Sequence, residues 1–178
     1  LVPAPLPPRD PVQPPIDLLA QGMRHLARHW WSARIPAPAV QRVVLESDRL
    51  TFAFVEDPVA LPEPFVREDD GLVSAPWAAL GDLEMLHRPV AYPGLVTLGN
   101  DAAGRLVLVD LARLGGVSIE AAPGLSAVRP LSAMLLELSC APWADEVSLR
   151  VISDGGLTEA AVPGEVRMLD ADAAVLEI

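Results

Sequence analysis

Two histidines, His25 and His29, stand four residues apart. On a helix that spacing puts both imidazoles on one face, where they can share a metal ion. Two ligands are too few for a stable site, and Leu26 after His25 excludes an H-E-x-x-H motif. His87 is a third ligand only if the fold carries it to the same place. The pair therefore reads as the polar flank of a helix, and no metal is assigned. Glu68-Asp69-Asp70-Gly71 is acidic but lacks the alternating oxygen ligands of a calcium loop, so it reads as a solvated turn. Ser126 and Ser132 have no G-x-S-x-G around them, so no nucleophile elbow is indicated. The single cysteine, Cys140, lies in Leu138-Ser139-Cys140-Ala141 and reads as a small buried hydrophobe. Alone, it can form neither an internal disulfide nor a cysteine-based zinc site. No catalytic residue and no cofactor are assigned.

Phosphate chemistry is the next candidate. A β-α turn can hold phosphate on the N–H groups opening its helix. Such a turn is expected at Ala121-Ala122-Pro123-Gly124-Leu125-Ser126, with Arg129 as the cation closest behind it. It has one glycine, and Pro123 deletes a donor. All 13 basic residues are arginine, so no lysine exists for a Walker A loop or a Schiff base. The turn therefore reads as structural. Gly124, Ser126 and Arg129 would carry the alternative reading, a degenerate nucleotide-binding domain that retains weak ligand binding.

Trp30, Trp31, Trp77 and Trp143 are half of the aromatic side chains. An exposed tryptophan pair at Trp30-Trp31 would suit a protein partner. Trp143, after Ala141-Pro142, is expected to pack a helix–strand corner.

These residues need elements to position them. Residues 1–15 hold seven prolines and read as an extended linker or arm; residues 16–178 read as a single domain. Ile16, Leu19, Met23, Leu26, Ala27 and Trp30 recur at helical spacing and predict an amphipathic helix over 16–33, ended by Pro36 and Pro38. Residues 40–56 predict a hairpin turning at Glu46-Ser47-Asp48-Arg49. Residues 57–94 are broken by prolines, with a short strand near Leu72–Ser74 and a short helix near Trp77–Leu83. A second hairpin runs from Leu95 to Leu111 through Asn100-Asp101-Ala102-Ala103-Gly104. Val117–Glu120, a buried helix over 125–140 and a strand over Val147–Ile152 predict a right-handed β-α-β crossover into the same sheet. A strand at Val166–Leu169 and a terminal helix over Ala171–Ile178 complete the chain. The fold class is α/β, a mixed sheet with a hairpin and a crossover and helices on both faces.

Composition narrows the partners. The formal charge is −11, which opposes nucleic acid and anionic lipid. No apolar run reaches the roughly 18 residues of a membrane span. The proline-rich start is no signal peptide. Beginning without Met, the chain reads as a piece of a longer one.

The run Pro93-Gly94-Leu95-Val96-Thr97-Leu98-Gly99-Asn100-Asp101, then Gly104, Leu106-Val107-Leu108-Val109-Asp110-Leu111 and Gly115, resembles a segment of large actinobacterial regulators. So does Leu136-Glu137-Leu138 with Ala141-Pro142-Trp143-Ala144-Asp145. That family carries membrane helices, a LysM module and a bacterial transcriptional activator domain. The resemblance spans about residues 40–178, in the family's middle cytoplasmic region, a degenerate P-loop-like β-α-β. It implies a non-catalytic regulatory or scaffolding module of a membrane-tethered protein, acting through an unknown protein partner. It supplies no site residues, and neither LysM nor DNA-binding helices are present in this sequence. Nucleic-acid binding and membrane insertion by these residues are not expected.

Overall fold

The computed structural model describes residues 15–84, 90–114, 117–120, 122, 127–144, 147, 150–153 and 167–170, the last two stretches as backbone. The first helix, α1 (Ile16–Ala33), buries Leu19, Met23, Leu26 and Trp30 along one stripe. It ends at Arg34, whose left-handed backbone (φ 57°) turns the chain. The Arg34 and Ile35 N–H groups then donate to the Trp31 and Trp30 carbonyls, at 3.0 and 2.8 Å. These bonds satisfy carbonyls that a helix end leaves open.

Six strands form one antiparallel sheet. They are β1 (Val40–Leu45), β2 (Arg49–Phe54), β3 (Val66–Arg67), β4 (Val73–Pro76), β5 (Leu95–Asn100) and β6 (Leu106–Asp110), ordered β3-β4-β2-β1-β6-β5. Both expected hairpins are present. In the first, Leu45 pairs with Leu50. In the second, Gly104 takes φ +80° in the turn, and Asp101 Oδ1 accepts the Ala103 and Arg105 N–H groups. The Arg105 guanidinium, hydrogen-bonded to Asp101, holds that carboxyl below its ordinary range.

Side chains alternate across the sheet. Val43, Leu50, Phe52, Val73, Leu95 and Leu108 join the α1 stripe, Phe65, Tyr92 and Trp143 in the main core. Their neighbours Val96 and Val109 point the other way. There they meet Met134 and Leu138 of α4 (Val128–Cys140) in a second, smaller cluster. Helices thus lie on both faces of the sheet, as expected. Two short helices, α2 (Trp77–Gly81) and α3 (Leu111–Leu114), follow β4 and β6 directly. Among the described residues, no helix is long and apolar enough to cross a membrane.

The crossover differs from expectation. Val117–Glu120 forms no strand. The strand expected over Val147–Ile152 is β7 (Arg150–Ser153), which pairs in parallel with β8 (Arg167–Asp170) in a separate two-stranded sheet. The physical reason lies in strand order. β6 sits between β1 and β5, so a strand following it finds no vacant neighbour. The outer edge of β5 is also taken, by side chains of α4 and the loop after it. Nor is α4 buried all round: Val128, Leu131 and Leu136 are exposed. The arm over 1–14, most of the 121–126 turn and the helix expected over Ala171–Ile178 lie outside the described residues.

Candidate functional site

The two adjacent tryptophans part company. Trp30 is buried among Phe54 and Tyr92, with ring centroids 6.2 and 6.5 Å away, and its indole N–H donates to the Ala60 carbonyl at 3.0 Å. Trp31, about 100° further round the helix, is 78% exposed. Of the expected pair, then, only Trp31 is available to a partner. Two more exposed apolar side chains come to the same end of the domain, Val55 and Val59. Each adjoins in sequence a residue that touches Trp30: Val55 follows Phe54, and Val59 precedes Ala60. Sequence reading missed both valines, because each sits in a stretch read for its turns and strands.

The expected ligand turn is not assembled from described residues. Gly124 and Ser126 lie outside them. Arg129 stands exposed on the first turn of α4, and that helix opens at Ala127 with no side-chain cap. Cys140 is exposed, contrary to expectation. Met134, Leu135 and Leu138 set the buried side of α4, and residue 140 falls on the opposite one.

The histidines sit on α1. His25 Nε2 lies 2.8 Å from the Glu63 carbonyl oxygen. Burial, outweighing that contact, pulls its imidazole below the ordinary 6.5; Arg28 and His29 act in the same direction. His87 lies outside the described residues. Among those described, no three His, Cys, Asp or Glu side chains converge as a metal site would need.

The β5 edge of the six-stranded sheet is closed by side chains. At β5, Glu137 accepts the Thr97 N–H and the Thr97 hydroxyl, each at 2.8 Å. The Trp143 indole N–H donates to the Leu95 carbonyl at 2.9 Å. At the other edge, Arg67 of β3 donates to the Pro58 carbonyl at 2.9 Å and pairs with Asp57, which draws the 57–58 loop alongside. On the sheet face away from α1, Ser74 and Arg49 both donate to Glu68, and Thr51 donates to Glu46. This is a self-satisfied polar surface.

One buried carboxyl stands apart. Asp110 ends β6 at 4% exposure, and its Oδ1 accepts the Ala112 N–H at 3.1 Å. Burial raises its pKa above the ordinary 3.8, against the lowering effects of that hydrogen bond and of Arg113. Burial likewise raises the Tyr92 phenol, whose hydroxyl donates to the Pro38 carbonyl. The raised Asp110 value fixes a sign. An acid whose folded pKa lies above its unfolded one favours folding most when protonated, and that contribution is lost as the pH rises through the folded pKa. Asp110→Asn keeps an acceptor for Ala112 and removes the charge. The variant is therefore expected to be at least as stable as the parent at pH 7. Its advantage shrinks with acidification and is gone below the ordinary 3.8. Urea midpoints across that range test it; a variant much less stable at pH 7 would show that the charge is needed.

The chain matches no protein-family model, no curated protein and no solved structure.

Proposed function

We propose that this chain is a non-catalytic regulatory or scaffolding module that works through protein–protein contacts. In this reading it acts on the cytoplasmic side of a larger, membrane-tethered protein, the class to which the sequence resemblance leads. The observation that carries the contact role is Trp31. Exposing most of a tryptophan leaves a large apolar surface in water, and tryptophan is among the side chains that most often anchor interfaces. Val55 and Val59 add apolar surface at the same end. The covered β5 edge favours side-chain docking over strand addition there in this conformation.

The test is Trp31→Ser. Because Trp31 contributes little to the core, the variant should keep the parent's denaturation midpoint within about 0.5 kcal/mol. It should lose at least about tenfold in affinity for the protein's physiological partner, the loss of a typical interface anchor. Partners are found by crosslinking in the source cell with the full-length protein, and affinities are then measured with the purified pair. Partners that bind the variant as tightly as the parent would remove Trp31 from the contact.

A further inference from the structure

The outer edge of β5 carries no charged residue: its sequence is Leu-Val-Thr-Leu-Gly-Asn. Exposed edges of that kind invite pairing, and proteins commonly blunt them with charge, proline or a covering element. Here the cover is α4 and the loop after it. In an antiparallel ladder, alternate residues turn their N–H and C=O outward. On β5 those residues include Leu95 and Thr97, since the Leu95 carbonyl meets Trp143 and the Thr97 N–H meets Glu137. These two groups are complementary to each other. If a second β5 lay antiparallel across a two-fold axis at Val96, Thr97 of each copy would face Leu95 of the other. The Thr97 N–H would donate to the Leu95 carbonyl, twice by symmetry. Glu137 and Trp143 occupy the donor and the acceptor that such a dimer uses.

The helical part of that cover is lightly held, whereas Trp143 of the loop belongs to the main core. Among the described residues, the cluster beneath α4 has four buried members, against twenty in the main core. Val128, Leu131 and Leu136 of the helix remain exposed. Elements with few buried contacts open below the free energy of global unfolding.

We propose that α4 is a strap over a latent dimerisation strand, and that lifting it, with the Trp143 indole N–H drawn off the Leu95 carbonyl while its ring stays in the core, lets β5 pair with β5 of a second copy. Closed, the strap keeps the chain from pairing through this edge. Anything that binds or displaces α4 then controls self-association. The charge of −11 on each copy opposes the dimer at low salt, so pairing strengthens as salt screens it. This inference is independent of the contact role given to Trp31.

Sedimentation velocity on the whole chain at about 0.15 M salt, where the Debye length is about 8 Å, tests the strap. Glu137→Ala frees the Thr97 N–H and should tighten dimerisation by about tenfold or more, the effect of one charged hydrogen bond. Trp143→Phe keeps a ring in the core, frees the Leu95 carbonyl and should act in the same direction. Adding Thr97→Pro to Glu137→Ala should restore the monomer, because proline is tolerated on an edge strand but cannot donate. Unchanged sedimentation of the folded single variants overturns the proposal, as does a dimer that survives Thr97→Pro. Native-state hydrogen exchange needs no substitution. The Thr97 amide should exchange together with the α4 amides, before the β1 and β2 amides. Exchange of Thr97 only with global unfolding would also overturn it.

Discussion

Gly94→Ala is expected to destabilise the chain by roughly 2–3 kcal/mol, the upper part of the range for overpacking a tight site. A Cβ at residue 94 would stand 2.6 Å from Asp110 Oδ1, 2.9 Å from the Ala112 nitrogen and 3.0 Å from the Ala112 Cβ. Two of these neighbours cannot swing aside. The Ala112 nitrogen is backbone and donates to the same Asp110 oxygen that the methyl would strike. The Gly94 carbonyl itself accepts the Leu111 N–H at 2.9 Å, so residue 94 cannot retreat without breaking that bond. The junction from β6 into α3 therefore closes only on a residue without a side chain. Gly81→Ala is the control. Its Cβ would find only Leu18 Cδ2, at 4.0 Å, and alanine favours a helix over glycine by up to about 1 kcal/mol. Urea denaturation should move the two midpoints in opposite directions. A Gly94→Ala midpoint within error of the parent would mean that the junction relaxes freely.

That junction shows where sequence reading stops. Pro93 is legible as a break, and the β5–β6 hairpin follows from two apolar runs around the Asn100–Gly104 turn. The near contact of Gly94 with Asp110 was not legible, because it depends on two residues 16 positions apart meeting across a strand end. The same limit governs the crossover. Val117-Ser118-Ile119-Glu120 has the composition of a strand, but a strand exists only beside a free edge. Strand order leaves β6 none. It also makes an edge of β5, which Glu137 then covers. Nothing in the helix sequence singles out Glu137, and its role appears only when the Thr97 N–H is found pointing at it. Helix α1 was legible almost to the residue, because one buried stripe and two downstream prolines define it without reference to the rest of the chain.

Trp30→Ala is expected to cost about 3–5 kcal/mol, the usual range for deleting a large buried aromatic. Trp31→Ala, one residue on, should change stability by no more than about 0.5 kcal/mol. The contrast follows from helix geometry. Trp30 continues the stripe of Leu19, Met23 and Leu26 and is 1% exposed. Removing its ring empties the space between α1, Phe54 and Tyr92, which meet it edge-on. It also removes the donor that holds the Ala60 carbonyl, and with it the tie between α1 and the loop carrying Val59. Trp30→Phe separates the two losses. It keeps most of the packing and gives up the hydrogen bond, worth about 1 kcal/mol, so its midpoint should fall between the parent and the alanine variant. Because the 58–61 loop would lose its tie at Ala60 while Arg67 still holds Pro58, Trp30→Phe should also speed proteolysis there modestly, which Trp31→Ala should not. Equal destabilisation by Trp30→Ala and Trp31→Ala would mean that both rings pack inward. Trp31 would then lose its role as a contact, and the functional reading would lose its anchor.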